Sequence, residues 1–181
     1  DFPLAEGLAL SAKSDGAAFV RVKLASKPEI VPQMPVAKNG LEVTRFYERV
    51  KPGGTSEPLE KAKVGDLVRV TLEVELPNDG ERYLVLEDRL PSIFEAVNND
   101  FESQAAHGNA GRTSENDWSV SHSELRSDRA VFFFDRVWRG GPQKITYLAR
   151  CTMEGKAIAP PAKAESMYDP DHTALSASRE F

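Results

Sequence analysis

Residues 66–76, DLVRVTLEVEL, constrain the fold more than any other stretch of this chain. Val68, Val70, Leu72, Val74 and Leu76 fall on one side of an extended backbone, and Arg69, Thr71, Glu73 and Glu75 fall on the other. A period of two predicts a strand with one face in a core and one in water, the habit of antiparallel sheets. The run Lys63-Val64-Gly65-Asp66 has the chemistry of a turn entry. Pro77-Asn78-Asp79-Gly80 has that of a turn exit, with a fixed φ followed by residues that tolerate positive φ. The next run, ERYLVLEDRL, follows at hairpin distance.

Two further runs have the same character. AVFFFDRVW, residues 130–138, is apolar on both faces, with Val131, Phe133 and Val137 against Phe132, Phe134 and Trp138, the pattern of a central strand covered on both sides. KITYLARCT alternates Ile145, Tyr147, Ala149 and Cys151 against Thr146, Leu148, Arg150 and Thr152. The turn residues Arg139-Gly140-Gly141-Pro142 predict a hairpin between the two runs. LEVTRFYERV and AAFVRVKLA are weaker strands, separated by KPEIVPQMPVAKNG, whose prolines predict an extended linker. A boundary near residue 38 follows: residues 1–38 read as the tail of a preceding domain, or a linker with an edge strand, and residues 39–181 as one domain. The polar segment 98–118 has neither period and reads as a long loop. PSIFEAV is the one short helix candidate. Many short strands, strong turn punctuation and little helix predict an all-β protein, an antiparallel β-sandwich with Greek-key-type connections.

Composition removes several function classes. The chain of 181 residues carries a net charge of −5 with both signs interspersed, which argues against a nucleic-acid groove or an anionic membrane surface as partner. A single cysteine leaves no internal disulfide and no multi-cysteine metal site. No apolar run approaches the ~20 residues of a membrane-spanning helix. The chain begins at Asp1 without an initiator Met or an apolar signal core, so it reads as a piece or a processed product of something longer.

Catalytic and metal-binding patterns are weak. Cys151 shares a strand face with Ile145, Tyr147 and Ala149 and reads as a buried structural thiol. His107, His122 and His172 lack a metal-ligand spacing, and His107 and His122 read as solvated loop residues. Asp169, Asp171 and His172 offer calcium or zinc ligands, but an Asp-Pro-Asp run more often builds a turn through its own side chains. No metal and no cofactor is expected. Glu87, Asp88 and Glu95 imitate a glycosidase carboxylate pair, which any acidic sandwich presents by chance. The stretch APPAKAESMYDP, residues 159–170, is different. Pro160 and Pro161 hold the backbone extended and withdraw two donors, which suits an edge or a crossing loop. Met167 and Tyr168 then offer a thioether and an amphipathic ring, good contact chemistry on a rigid stem. From these residues alone, plugging the end of the sandwich core is the somewhat better expectation.

The order of motifs resembles one family. LEVTRFYERV is followed by KVGDLVRVTLEVEL, EDRLPSIFEAVN, RSDRAVFFFD, YLARCTMEGKAIAPPAKAESMYDP and LSASREF, and together, over roughly residues 41–181, these are similar to the carboxyl-terminal domain of bacterial alpha-2-macroglobulins. The resemblance implies a macroglobulin-like β-sandwich, not an enzyme, from a multidomain bait-and-trap endopeptidase inhibitor. It implies a periplasmic or envelope location, with membrane contact only through a lipid anchor of the parent. Its partners would be the other domains of its own parent, above all a thioester domain that it shields, and target proteases reached through the parent. Met167, Tyr168, Asp169 and Pro170 are then candidates for the surface facing the thioester domain. The thioester motif Cys-x-Glu-Gln is absent, because Cys151 is followed by Thr152-Met153-Glu154-Gly155. The competing expectation is an adhesion or carbohydrate-binding sandwich of a surface protein, contacting ligand through Phe101 and Trp118 of the long loop.

Overall fold

In the computed structural model, residues 33–77, 81–97, 120–137 and 141–181 are described, with 13, 15–17 and 19 besides. The chain divides into two compact units, Asp1–Val31 and Pro32–Phe181, and the second carries everything below.

Among its described residues are twelve strands: β1 Glu42–Val50, β2 Ser56–Pro58, β3 Leu67–Leu76, β4 Glu81–Arg89, β5 Phe94–Ala96, β6 His122–Arg126, β7 Arg129–Val137, β8 Gly141–Cys151, β9 Ile158–Ala159, β10 Lys163–Ser166, β11 Thr173–Leu175 and β12 Arg179–Glu180. One five-stranded sheet has the order β2-β1-β3-β8-β5 and the other β11-β10-β4-β7-β6, while β9 and β12 pair as a separate ribbon. Every pairing is antiparallel. The described residues contain no helix. The expected all-β antiparallel sandwich is the observed fold.

β3 behaves as its alternation demands. Val68, Val70, Leu72, Val74 and Leu76 are all buried, and Arg69, Thr71 and Glu73 lie half out on the other face. Its entry turn forms as expected: Asp66 N donates to Lys63 O (3.0 Å), Asp66 Oδ2 accepts from Lys63 N (2.9 Å), and Gly65 takes a φ of 92°. A turn absent from the sequence reading precedes β1, where Asn39 and Gly40, at φ 52° and 80°, close a two-residue reversal between Lys38 and Leu41. Asn-Gly is the pair that such a reversal favours.

Several expectations fail. Neither β3–β4 nor β7–β8 is a hairpin. β3 is flanked by β1 and β8, and β4 by β10 and β7, so both connections cross from one sheet to the other. Turn residues set where a chain reverses, while the partner of each arm is set by which apolar face it must cover. PSIFEAV is not a helix: Phe94 N donates to Pro91 O (2.9 Å) in a tight turn, and Phe94–Ala96 extends as β5 along Cys151–Ala149 of β8. Finally, β7 is a central strand covered on one face only. Ala130, Phe132 and Phe134 are buried, whereas Val131 and Phe133 are half-buried on the outside. His122 is likewise a strand residue, the first of β6, with its ring 5.7 Å from that of Phe133. The turn 78–80, the loop 98–118 with Phe101, His107 and Trp118, Trp138–Gly140, and AAFVRVKLA as a strand lie outside the described residues.

The end of the proline-spaced stretch joins the sandwich. Val36 exchanges two 2.8 Å backbone hydrogen bonds with Leu175 of β11, and Gln33 N donates to Ser178 Oγ (2.7 Å).

Candidate functional site

The β10–β11 hairpin carries the Met-Tyr-Asp-Pro stretch at its tip. Pro160 and Pro161 bring the chain into β10, and Ala162 N beyond them bonds to Ser176 Oγ (2.9 Å). β10 then pairs with β4 on one side and β11 on the other. The tip is closed by its own atoms: Ser166 N donates to His172 O (3.0 Å), His172 N to Asp169 O (3.0 Å), and Asp171 N to Asp169 Oδ1 (3.2 Å). Asp169 therefore works as a turn-builder, as short acidic side chains do. Asn39 Nδ2 adds an outside tie to Asp171 O (3.1 Å).

The tip does not plug the core. Met167 is 54% exposed and Tyr168 77% exposed, so the expectation from their residue types alone is reversed. The reason is the neighbouring strand. Met167 N donates to Tyr83 O (2.9 Å), the Tyr168 ring stands edge-on to the Tyr83 ring at 5.1 Å and 81°, and His172 Nδ1 donates to Glu81 Oε2 (2.7 Å). Glu81 and Tyr83, neither distinguished by residue type in the sequence, are thus the backing of the tip. Glu81, Tyr83, Met167 and Tyr168 form one ledge at one end of the second sheet.

The carboxylate triplet does not converge. Glu87 faces outward and pairs with Arg129 (3.1 Å), Glu95 is exposed on β5 of the other sheet, and Asp88 points into the core. Cys151 is buried, with Sγ 3.6 Å from Met153 O, and burial pushes its thiol pKa up. A thiol held in that form is a poor nucleophile.

Asp88 instead anchors a buried polar cluster between the sheets. Its Oδ1 lies 2.5 Å from Arg45 Nη1 of β1, and its Oδ2 accepts from Tyr147 Oη of β8 at 2.7 Å. Arg45 also reaches Ala159 O (3.4 Å) and Ala177 O (3.5 Å), and its guanidinium lies 5.1 Å from the centre of the Tyr47 ring. Burial pushes the Asp88 pKa up, against the pull of Arg45 and of the Tyr147 hydroxyl. Desolvation works against the Arg45 charge, but Asp88 together with Tyr47 and Tyr147 leaves the guanidinium pKa above its ordinary value. Tyr47 and Tyr147 are both raised, by burial first and by Asp88 next.

A raised folded-state pKa means that stability is intact below the unfolded tyrosine value of about 10 and drains away as pH rises beyond it. Tyr47 and Tyr147 are therefore expected to ionise only as the fold is lost. Tyrosine ring-carbon NMR against far-UV circular dichroism checks this, and titration of either residue in an intact fold contradicts it.

The family model of the bacterial alpha-2-macroglobulin MG10 domain matches residues 40–171, from the turn before β1 through the whole Met-Tyr-Asp-Pro tip. The chain belongs to that family. This MG10 domain is 30% identical over 139 residues to the alpha-2-macroglobulin of Pasteurella multocida strain Pm70, a match covering 77% of the chain and 7% of that protein. It is 30% identical over 181 residues to the alpha-2-macroglobulin of Escherichia coli K12, covering 96% of the chain and 11% of that protein. Among solved structures it resembles Escherichia coli alpha-2-macroglobulin activated by porcine elastase, with a TM-score of 0.67 and 28% identity over 81% of this chain and 13% of that one. The chain thus spans between 7% and 11% of the length of these two curated relatives.

Proposed function

We propose that this MG10 domain is a non-catalytic, carboxyl-terminal module of a bait-and-trap endopeptidase inhibitor of the bacterial envelope. It docks on the thioester domain of its own parent chain and shields the thioester with the Met167–Pro170 tip. The observation that carries this reading is the exposure of Met167 and Tyr168 on a tip fastened from behind by β4. A thioether and a ring held rigidly in water have little to do for their own domain, and they suit a contact that excludes water from a reactive bond. Bait cleavage elsewhere in the parent would release the contact, a rearrangement between packings a few kcal/mol apart. The domain boundary near residue 38 belongs to the same reading, with residues 1–38 as the tail of the preceding domain or a linker with an edge strand, and the bonds of Val36 to Leu175 support the linker. Target proteases are met only through the parent, and membrane contact only through its anchor. The adhesion alternative depends on Phe101 and Trp118, and nothing among the described residues favours it.

Tyr168→Ala in the intact parent is expected to raise the rate at which methylamine inactivates the native protein at least several-fold. The same change should move the melting temperature little, since the side chain is largely solvated. Unchanged amine sensitivity would remove the shielding role.

A further inference from the structure

We infer that Tyr83 is a further contact residue of the tip, a second aromatic presented to the same neighbouring domain of the parent. This rests on the docking reading above and extends it to a residue of a different strand.

Three observations lead there. Tyr83 has a φ of 53°, the left-handed region that asparagine and glycine favour and that a bulky ring occupies at a cost. The strain is local: β4 pairs with β7 at Arg82↔Arg136 and Leu84↔Phe134, and the pair between them is not made. A strained backbone persists where surrounding structure holds it, and such positions gather at contact and switch sites. Second, the alternation of β4 puts the ring outside. Leu84 and Leu86 of the same strand are buried, whereas Tyr83 is 46% exposed beside Tyr168 at 77%. A residue that merely propped the tip would be covered by it, yet both rings keep wide open faces. Third, the backing is rigid, because Tyr83 O holds Met167 N (2.9 Å) and Glu81 holds His172 (2.7 Å). Two rings at right angles with a thioether beside them make a preformed aromatic ledge, which loses little entropy on docking.

The occupant is another module of the same polypeptide. The chain is only a small fraction of its relatives' length, so most of the parent lies outside it, tethered to it. The rim adds chemistry: Asp169 and Asp171 are exposed on the tip side. The fitting partner surface is an apolar recess with a basic group facing those two carboxylates.

The test places the photoreactive residue p-benzoyl-phenylalanine at position 83 or at position 168 of the full-length parent, with cross-linked peptides mapped by mass spectrometry. Cross-links from both positions into one and the same domain are expected. A cross-link from 168 without one from 83 overturns the inference and leaves the docking reading standing; cross-links from neither overturn both. As a second measurement, Tyr83→Asn suits the left-handed backbone, so the melting temperature should hold or rise while the cross-link yield from position 168 falls several-fold. An undiminished yield in that variant also overturns the role of Tyr83.

Discussion

Arg45→Ala is expected to lower the unfolding free energy by about 3–5 kcal/mol, the cost of removing one partner from a buried ion pair. Against a total on the order of 5–15 kcal/mol for a domain, that is a large share. The Arg45 side chain is 2% exposed and that of Asp88 0%, so water cannot replace the lost guanidinium. Tyr147 would remain on Oδ2, but Oδ1 would face an apolar interior. The change also takes one hydrogen bond from the carbonyl of Ala159, in β9, and one from that of Ala177, just before β12. Urea unfolding followed by circular dichroism measures the loss, and a change below about 1 kcal/mol would show that the cluster is not a stability determinant.

The same reasoning gives a control. Replacing Arg45, Asp88 and Tyr147 with apolar residues of similar size, as Arg45→Met, Asp88→Leu and Tyr147→Phe together, removes both buried charges and the hydroxyl at once, so none of the three is stranded. It is expected to recover most of the stability lost in Arg45→Ala. A triple variant as unstable as the single one would place the cost in shape and packing instead of stranded charge.

This cluster also marks what could be read from the chain. The inward series of β1 runs Leu41, Val43, Arg45, Tyr47, and that of β4 runs Leu84, Leu86, Asp88, Leu90. One charge of each sign breaks two otherwise apolar series. That signal was available, because a lone charge on a core face needs a partner. Which strand supplies the partner was not legible, since β1 and β4 are in different sheets and no local rule pairs them. The same limit explains the two failed hairpins. The long strands announce themselves, β3 and β8 by a period of two, whereas β2, β5, β6, β9, β10 and β11 are too short to show one, and sheet membership depends on contacts distant in sequence. The tip was found by its motif, while its exposure depended on Tyr83, whose backbone conformation no residue pattern announces in a tyrosine.

Phe132→Ala is expected to cost about 3–5 kcal/mol, and Phe133→Ala about 1 kcal/mol or less, although the two residues are adjacent and identical in sequence. Phe132 is fully buried, 6.1 Å from the ring of Tyr147, and lies across from Leu86. Its removal leaves a void between the sheets, beside the Asp88 cluster, that the close-packed strands cannot collapse to fill. The neighbouring residue is half-buried on the other face, where among the described residues it lies across from Val85 on one side and His122 on the other. Because the FFF run offers no polar residue to reveal its phase, the sequence alone treats both faces as core, and equal losses in the two variants would restore that view. A large asymmetry in urea midpoints would instead confirm that the second sheet buries one face and keeps the other in water.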